Sequence, residues 1–284
     1  MAPSPAPASG RRAVLAVASL RLVLLAVAAC PAWLAAQGAL GRTFRDAWLA
    51  DAGTPLPVMQ LVGLLGRAGP AAFAGVLAGL AIFLLVHQAF VGGAAAALLP
   101  RRHGSPATAG WGRIFREGTP RTWTMLRVTL LGAVLLPAGA LALSLPFRVL
   151  GRMADRAGWS ALALLVGLGG ARLLLFACWG ALLGTFLLHV RAHLVARDEH
   201  RVRRALLPSL AGMVRAPFRA AALPAFLLLA GPLLGGVPLA LWRLAPPAGG
   251  VGLAGNVLLA LLGLAAQATA WTAALLLAAR AAVR

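Results

Sequence analysis

Residues 128–147 read VTLLGAVLLPAGALALSLPF, twenty positions without a charge, bracketed by Arg127 and Arg148. At 1.5 Å per residue, a helix of that length covers about 30 Å, the thickness of a bilayer's hydrocarbon core. Comparable apolar runs occupy residues 13–33, 71–99, 160–190, 220–241 and 251–279, and arginines collect in the segments between them. The layout predicts an all-α, polytopic transmembrane helical bundle of about six spans.

Composition agrees. Of the 284 residues, 61% are hydrophobic and only 11% charged, with a mean hydropathy of +0.88. A soluble domain carries about 25% charged residues because its surface faces water. A chain this poor in charge has lipid as its main solvent. Residues 1–10 (MAPSPAPASG) have no periodicity and read as a short disordered tail; residues 11–284 read as a single membrane domain.

The net charge is +20, every basic residue other than His is Arg, and Lys and Tyr are absent. With heavy use of Ala, Leu, Gly and Pro, this points to a GC-rich bacterial genome and a bacterial inner membrane. On a soluble chain such a charge would suggest nucleic acid. Here the arginines lie in short loops between apolar runs, so anionic lipid headgroups are the expected partner and nucleic acid is not. Placing the N-terminus in the cytoplasm puts sixteen arginines inside and seven outside, alternating loop by loop. The positive-inside rule therefore predicts both termini in the cytoplasm. Trp33, Trp159 and Trp242 then fall near outer span ends, and Trp111 and Trp123 in an inner loop, as an aromatic belt requires.

Two inner loops carry their own pattern. In GWGRIFREGTPRTW, Trp111 and Phe115 are four apart, flanked by Arg113 and Arg116. In RVRRALLPSLAGMVRAPFR, Leu206, Leu210 and Met213 share a helical face between Arg203–Arg204 and Arg215. Both read as short amphipathic interfacial helices; the plainer alternative is a connecting helix packed on the bundle. Val58–Leu65 reads as a similar stretch at the outer interface. Each basic loop then passes through a Pro-containing elbow into a span, which raises the question of a duplicated half.

Deep polar groups are the candidate site. Arg21 lies nine residues beyond Arg12, about 13 Å into its span, where it either snorkels or meets a lipid or partner group. Arg21 also interrupts an N-terminal apolar region ending in Val27-Ala28-Ala29-Cys30, so the segment reads as a retained span rather than a cleaved lipoprotein signal. His87 and Gln88 lie about 20 Å in from Arg101, and Gln267 at similar depth from Arg280. Inter-helix hydrogen bonds are their plainer role and a solute path the sharper one. The run 160–190 is too long for one crossing. Taking Arg191 as its inner end places a break near Gly169–Gly170 and Arg172 at the outer interface, with residues 158–170 re-entrant or interfacial. Gly75/Gly79 and Gly180/Gly184 form GxxxG spacings that permit close helix packing.

All six acidic residues lie in loops, so no span holds a carboxylate of the kind proton-coupled carriers use. Asp198, Glu199, His193 and His200 form a dense patch that reads as a solvated face with local ion pairs in preference to a metal or acid–base site. Cys30 and Cys178 both sit in apolar runs and give neither metal spacing nor a disulfide framework. No catalytic motif, metal site or cofactor site is expected.

Two long stretches, GWGRIFREGTPRTWTMLRVTLL from Gly110 and HVRAHLVARDEHRVRRALLPSLAGMVRAPFRAAAL from His189, together resemble uncharacterised bacterial six-span proteins related to the membrane domain found beside glycerophosphodiester phosphodiesterases. The resemblance implies a six-span membrane domain over residues 13–280; the enzymatic half of that pairing has no counterpart in this chain. Two functions follow as expectations. One is a non-enzymatic subunit, scaffold or accessory of a membrane assembly, contacting lipids or other subunits through Arg113, Arg116, Arg203 and Arg204. The other is a transporter or permease component with a mid-membrane site at Arg21, His87, Gln88 and Gln267.

Overall fold

The computed structural model describes residues 12–24, 70–99, 111–160, 164–244 and 250–283, and all regular structure among them is helical. The disordered tail, the Cys30 box, the second half of the first span and the Val58–Leu65 stretch lie outside the described residues. Helix α1 covers residues 12–24. It is followed by α2 (Pro70–Leu98), α3 (Trp111–Gly118), α4 (Thr122–Arg156), α5 (Gly170–Ala196), α6 (Val202–Arg215), α7 (Leu223–Leu244) and α8 (Gly250–Val283).

The chain divides into two compact units, one of residues 1–19 with 88–284 and one of residues 20–87. In the smaller unit, the described part of α2 exposes Ile82, Leu84, Leu85 and Val86, and His87 stacks on Phe83 with ring centroids 5.8 Å apart.

In the larger unit, α4 and α5 run antiparallel, because their contacts descend on one helix as they rise on the other. Arg121 meets Asp198, Thr129 meets Arg191, Gly132 faces Leu187 and Gly139 faces Trp179. Helix α7 runs antiparallel to α5 in the same way, with His189 at Ala220 and Gly184 against Leu228. Gly231 brings α7 close to Gln267 and Ala270 of α8, and Phe90 of α2 stacks on Trp271 of α8 at 5.8 Å.

Large aliphatic side chains point outward: Leu130, Val134, Leu141 and Leu145 on α4, Leu173 and Leu174 on α5, Leu261 and Leu262 on α8. In water each would forgo roughly 1.5–3 kcal/mol of burial. In lipid that penalty vanishes, and apolar patches of this extent mark a lipid or protein contact. Among the described residues, four helical segments are long and apolar enough to cross a membrane: Ala81–Leu98, Trp111–Ala154, Gly167–Ala196 and Leu261–Val283. The bent pair Val202–Arg215 with Pro217–Gly231 makes a fifth if counted as one span.

Three boundaries differ from the sequence expectation. First, α4 runs 35 residues, through Pro137 and Pro146, and is far longer than the charge-free core 128–147. Each proline removes one backbone donor, which a membrane helix tolerates where neighbours satisfy the freed carbonyl. Second, no break occurs at Gly169–Gly170. Gly169 has ordinary helical angles (φ −64, ψ −47), and a π-helical stretch at Leu164–Gly169 leads straight into α5. Third, α5 continues past Arg191 to Ala196, with Leu188, Val190, Ala192, Leu194 and Val195 all buried around the arginine.

The two elbows are unlike in shape. Between α3 and α4 a 3-10 turn, Thr119–Arg121, keeps helical angles at Gly118 and Thr122, and Trp111–Ala154 reads as one helical run of 44 residues. Between α6 and α7 the chain bends by 117°. Pro217 disfavours the α conformation at Ala216, which sits at φ −133, ψ 63, and α6 ends at Arg215. Of the face predicted for α6, Met213 is buried, but Ala205 and Ser209 are its partners inside, and Leu210 faces out with Leu207 and Val214. On α3, Ile114 and Gly118 are buried, against Gly93 and Ala89 of α2 respectively.

Candidate functional site

The larger unit gathers many of its arginines at one end, near α3, the start of α4, the end of α5 and α6, while Arg148, Arg152, Arg156 and Arg172 lie towards the other. Helix α5 closes with a Schellman motif: Glu199 N donates to Leu194 O at 2.9 Å and Asp198 N to Val195 O at 3.3 Å. The residue in the left-handed position is Asp198 (φ 50), where glycine is usual. Its carboxylate explains the choice, because Arg121 Nη2 donates to Asp198 Oδ1 at 2.8 Å and ties the start of α4 to the end of α5.

Glu199 accepts from Arg204 Nη1 at 3.0 Å and from the Arg201 backbone N–H at 3.1 Å. The Arg204 hydrogen bond, then that of the Arg201 backbone, holds the Glu199 carboxyl below the usual carboxylate range. Beside it, His193, Arg197, Glu199, Arg204, Ala205 and Pro208 line a partly open cavity of about 240 Å³. Arg113 Nε donates to Glu117 Oε1 at 2.6 Å one helical turn on. All three acids of this end are thus engaged by arginine. Arg116, Arg203, Arg215 and Arg219 are exposed and form no ion pair among the described residues. Exposed apolar groups stand among them: Trp111, Trp123, Leu207, Leu210, Val214 and Phe218. Arg127 lies over the Trp123 ring at 5.4 Å.

Arg21 is buried. His87 stacks on Phe83, as above. Gln88 is fully buried, and its Oε1 accepts from Thr129 Oγ1 at 2.8 Å. Thr129 Oγ1 in turn accepts from Arg191 Nη2 at 2.8 Å. Gln267 is half-buried beside Gly231 and forms no hydrogen bond with Gln88. Arg172 is exposed, its guanidinium over Phe176 at 5.2 Å. Cys178 is a half-buried free thiol.

The residues the sequence reading missed are Thr129 and Arg191. The charge of Arg191 marks it in the sequence as a span end, yet Leu188, Val190, Ala192 and Leu194 around it are all buried. Those apolar neighbours, Leu188, Val190, Ala192 and Leu194, were the available signal. Among the described residues, no three His, Cys, Asp or Glu side chains cluster as metal ligands. Compared with known proteins, the chain matches no family model, no curated protein and no solved structure.

Proposed function

We propose that this chain is a non-enzymatic integral protein of a bacterial inner membrane, with six spans and both termini in the cytoplasm. It acts as a subunit, scaffold or accessory of a membrane assembly and holds anionic lipid against its basic cytoplasmic face. The observation that carries the reading is the make-up of that face. Its acids are consumed by Arg113, Arg121 and Arg204, while further arginines stay exposed among tryptophans and aliphatic side chains. Cations interleaved with exposed apolar groups suit the boundary between anionic headgroups and acyl chains. Each exposed arginine there contributes roughly 1 kcal/mol of attraction to an anionic leaflet. The sequence resemblance to phosphodiesterase-associated membrane domains fits the same role.

Purification in mild detergent tests it. Anionic lipid is expected to co-purify above its share of the bulk membrane, and the triple change Arg116→Gln, Arg203→Gln, Arg215→Gln is expected to remove most of that enrichment. Unchanged enrichment in a folded triple variant contradicts the lipid-contact role. The competing carrier role makes a different demand: Arg21→Leu with Gln267→Leu would abolish a solute flux while folding and partner binding survive.

A further inference from the structure

Three polar side chains meet inside the larger unit with hydrogen-bond donors in excess. Arg191 donates Nη2 to Thr129 Oγ1, and Thr129 reaches Gln88 Oε1, each at 2.8 Å. Arg191 Nε and Gln88 Nε2 are both buried and have no acceptor. No carboxylate pairs with Arg191 among the described residues. The acids next along its own chain, Asp198 and Glu199, are already bonded to Arg121 and Arg204. Neighbouring His189 is committed to the Ala220 carbonyl at 2.7 Å. A buried cation without a counter-charge costs several kcal/mol, and each buried donor without an acceptor about 1–3 kcal/mol. The arrangement therefore lacks one component, an anion with several acceptor oxygens.

Depth and surroundings indicate which anion. Arg191 lies five residues before the end of α5 at Ala196, about 7.5 Å along the axis. Thr129 lies seven residues into α4, about 10 Å. The cluster thus sits just below the basic end, close to where headgroups give way to hydrocarbon. Arg191 keeps partial exposure, so a ligand can reach it. On another side of the same helix, Leu130 and Val134 are 53% and 66% exposed, so the surface of α4 near this level is apolar. A guanidinium matches phosphate oxygens with two parallel donors, and an amide nitrogen adds a third.

We propose that Arg191, Thr129 and Gln88 form a phosphate-binding site between α2, α4 and α5 that takes the headgroup phosphate of a membrane lipid. The site rests on the membrane location argued above, but not on the exposed basic face.

The test uses the full chain, stripped of loosely held lipid in detergent and titrated while native mass spectra and thermal unfolding are recorded. The probes are phosphatidylglycerol, diacylglycerol with the same acyl chains, and inorganic phosphate. One tightly held phosphatidylglycerol is expected, with little binding of diacylglycerol. Arg191→Gln is expected to weaken that single event about 10–100-fold, the equivalent of one charge-assisted hydrogen bond. Arg152→Gln, at the far end of α4, is expected to leave it unchanged. Stabilisation by inorganic phosphate alone, lost in Arg191→Gln, retains the anion site and overturns the lipid source. If Arg191→Gln does not fold, the wild type still decides: equal binding of phosphatidylglycerol and diacylglycerol, with no phosphate effect, overturns the proposal. So does a folded Arg191→Gln protein that keeps the tight lipid. The triple surface variant is read in the loosely held lipid, so the two proposals fail separately.

Discussion

Replacing Gly93 or Gly118 with alanine is expected to destabilise the protein by about 1–3 kcal/mol, the cost of overpacking a close contact. The sign is the informative part. In an isolated helix, Gly→Ala stabilises by about 1 kcal/mol through lost backbone entropy in the unfolded chain. Here α2 and α3 cross so closely that a Cβ on Gly93 would overlap the Ile114 carbonyl, and one on Gly118 would overlap the Ala89 carbonyl. Backbone cannot rotate aside as a flexible side chain can, so the helices must separate and Ile114, now buried, must loosen. Gly212 on α6 is the control. Nothing stands within 4 Å of a Cβ there, so Gly212→Ala is expected to be neutral or stabilising. Thermal unfolding in detergent gives all three values. Equal effects at Gly93, Gly118 and Gly212 would dismiss the α2–α3 contact.

The second large effect is expected at His189. Its Nε2 lies 2.7 Å from the Ala220 carbonyl, and since a carbonyl only accepts, Nε2 carries the proton. This bond joins α5 to the π-helical stretch Pro217–Ala222 that follows the 117° bend. His189→Leu keeps most of the volume but leaves a buried carbonyl without its donor, at a cost of about 1–3 kcal/mol. The exposed His200 should tolerate the same change within about 0.5 kcal/mol. Local protease sensitivity near Arg215 and Arg219 is expected to rise in His189→Leu and not in His200→Leu. Equal stability of the two variants would remove the anchoring role.

The sequence made the class of fold legible because apolar run length and arginine placement report directly on the solvent. Residues 128–147 did fall in a helix, and 251–279 did too. Helix ends were harder to read, since neither rule used to set them measures backbone hydrogen bonding. Gly169–Gly170 permits a break without requiring one, and an arginine does not stop a helix that has a partner inside. Close packing was visible only where glycines share a helix. Gly184 does lie against Leu228, but Gly93 and Gly118 sit on different helices with no common spacing. For the same reason Gln88 was legible as a deep polar residue, while its partners Thr129 and Arg191 were not. Their meeting depends on how α2, α4 and α5 are set side by side, which periodicity along one chain does not encode.

The claim on which the rest stands is that the arginine-rich end of the bundle faces the cytoplasm. Single cysteines placed by Arg116→Cys, Arg203→Cys or Arg152→Cys, in a background with Cys30→Ala and Cys178→Ala, test it with a membrane-impermeant thiol reagent. Positions 116 and 203 are expected to label in inverted vesicles only, and position 152 in right-side-out cells only. Labelling of 116 and 203 in right-side-out cells, or of all three positions from one side, would contradict the account.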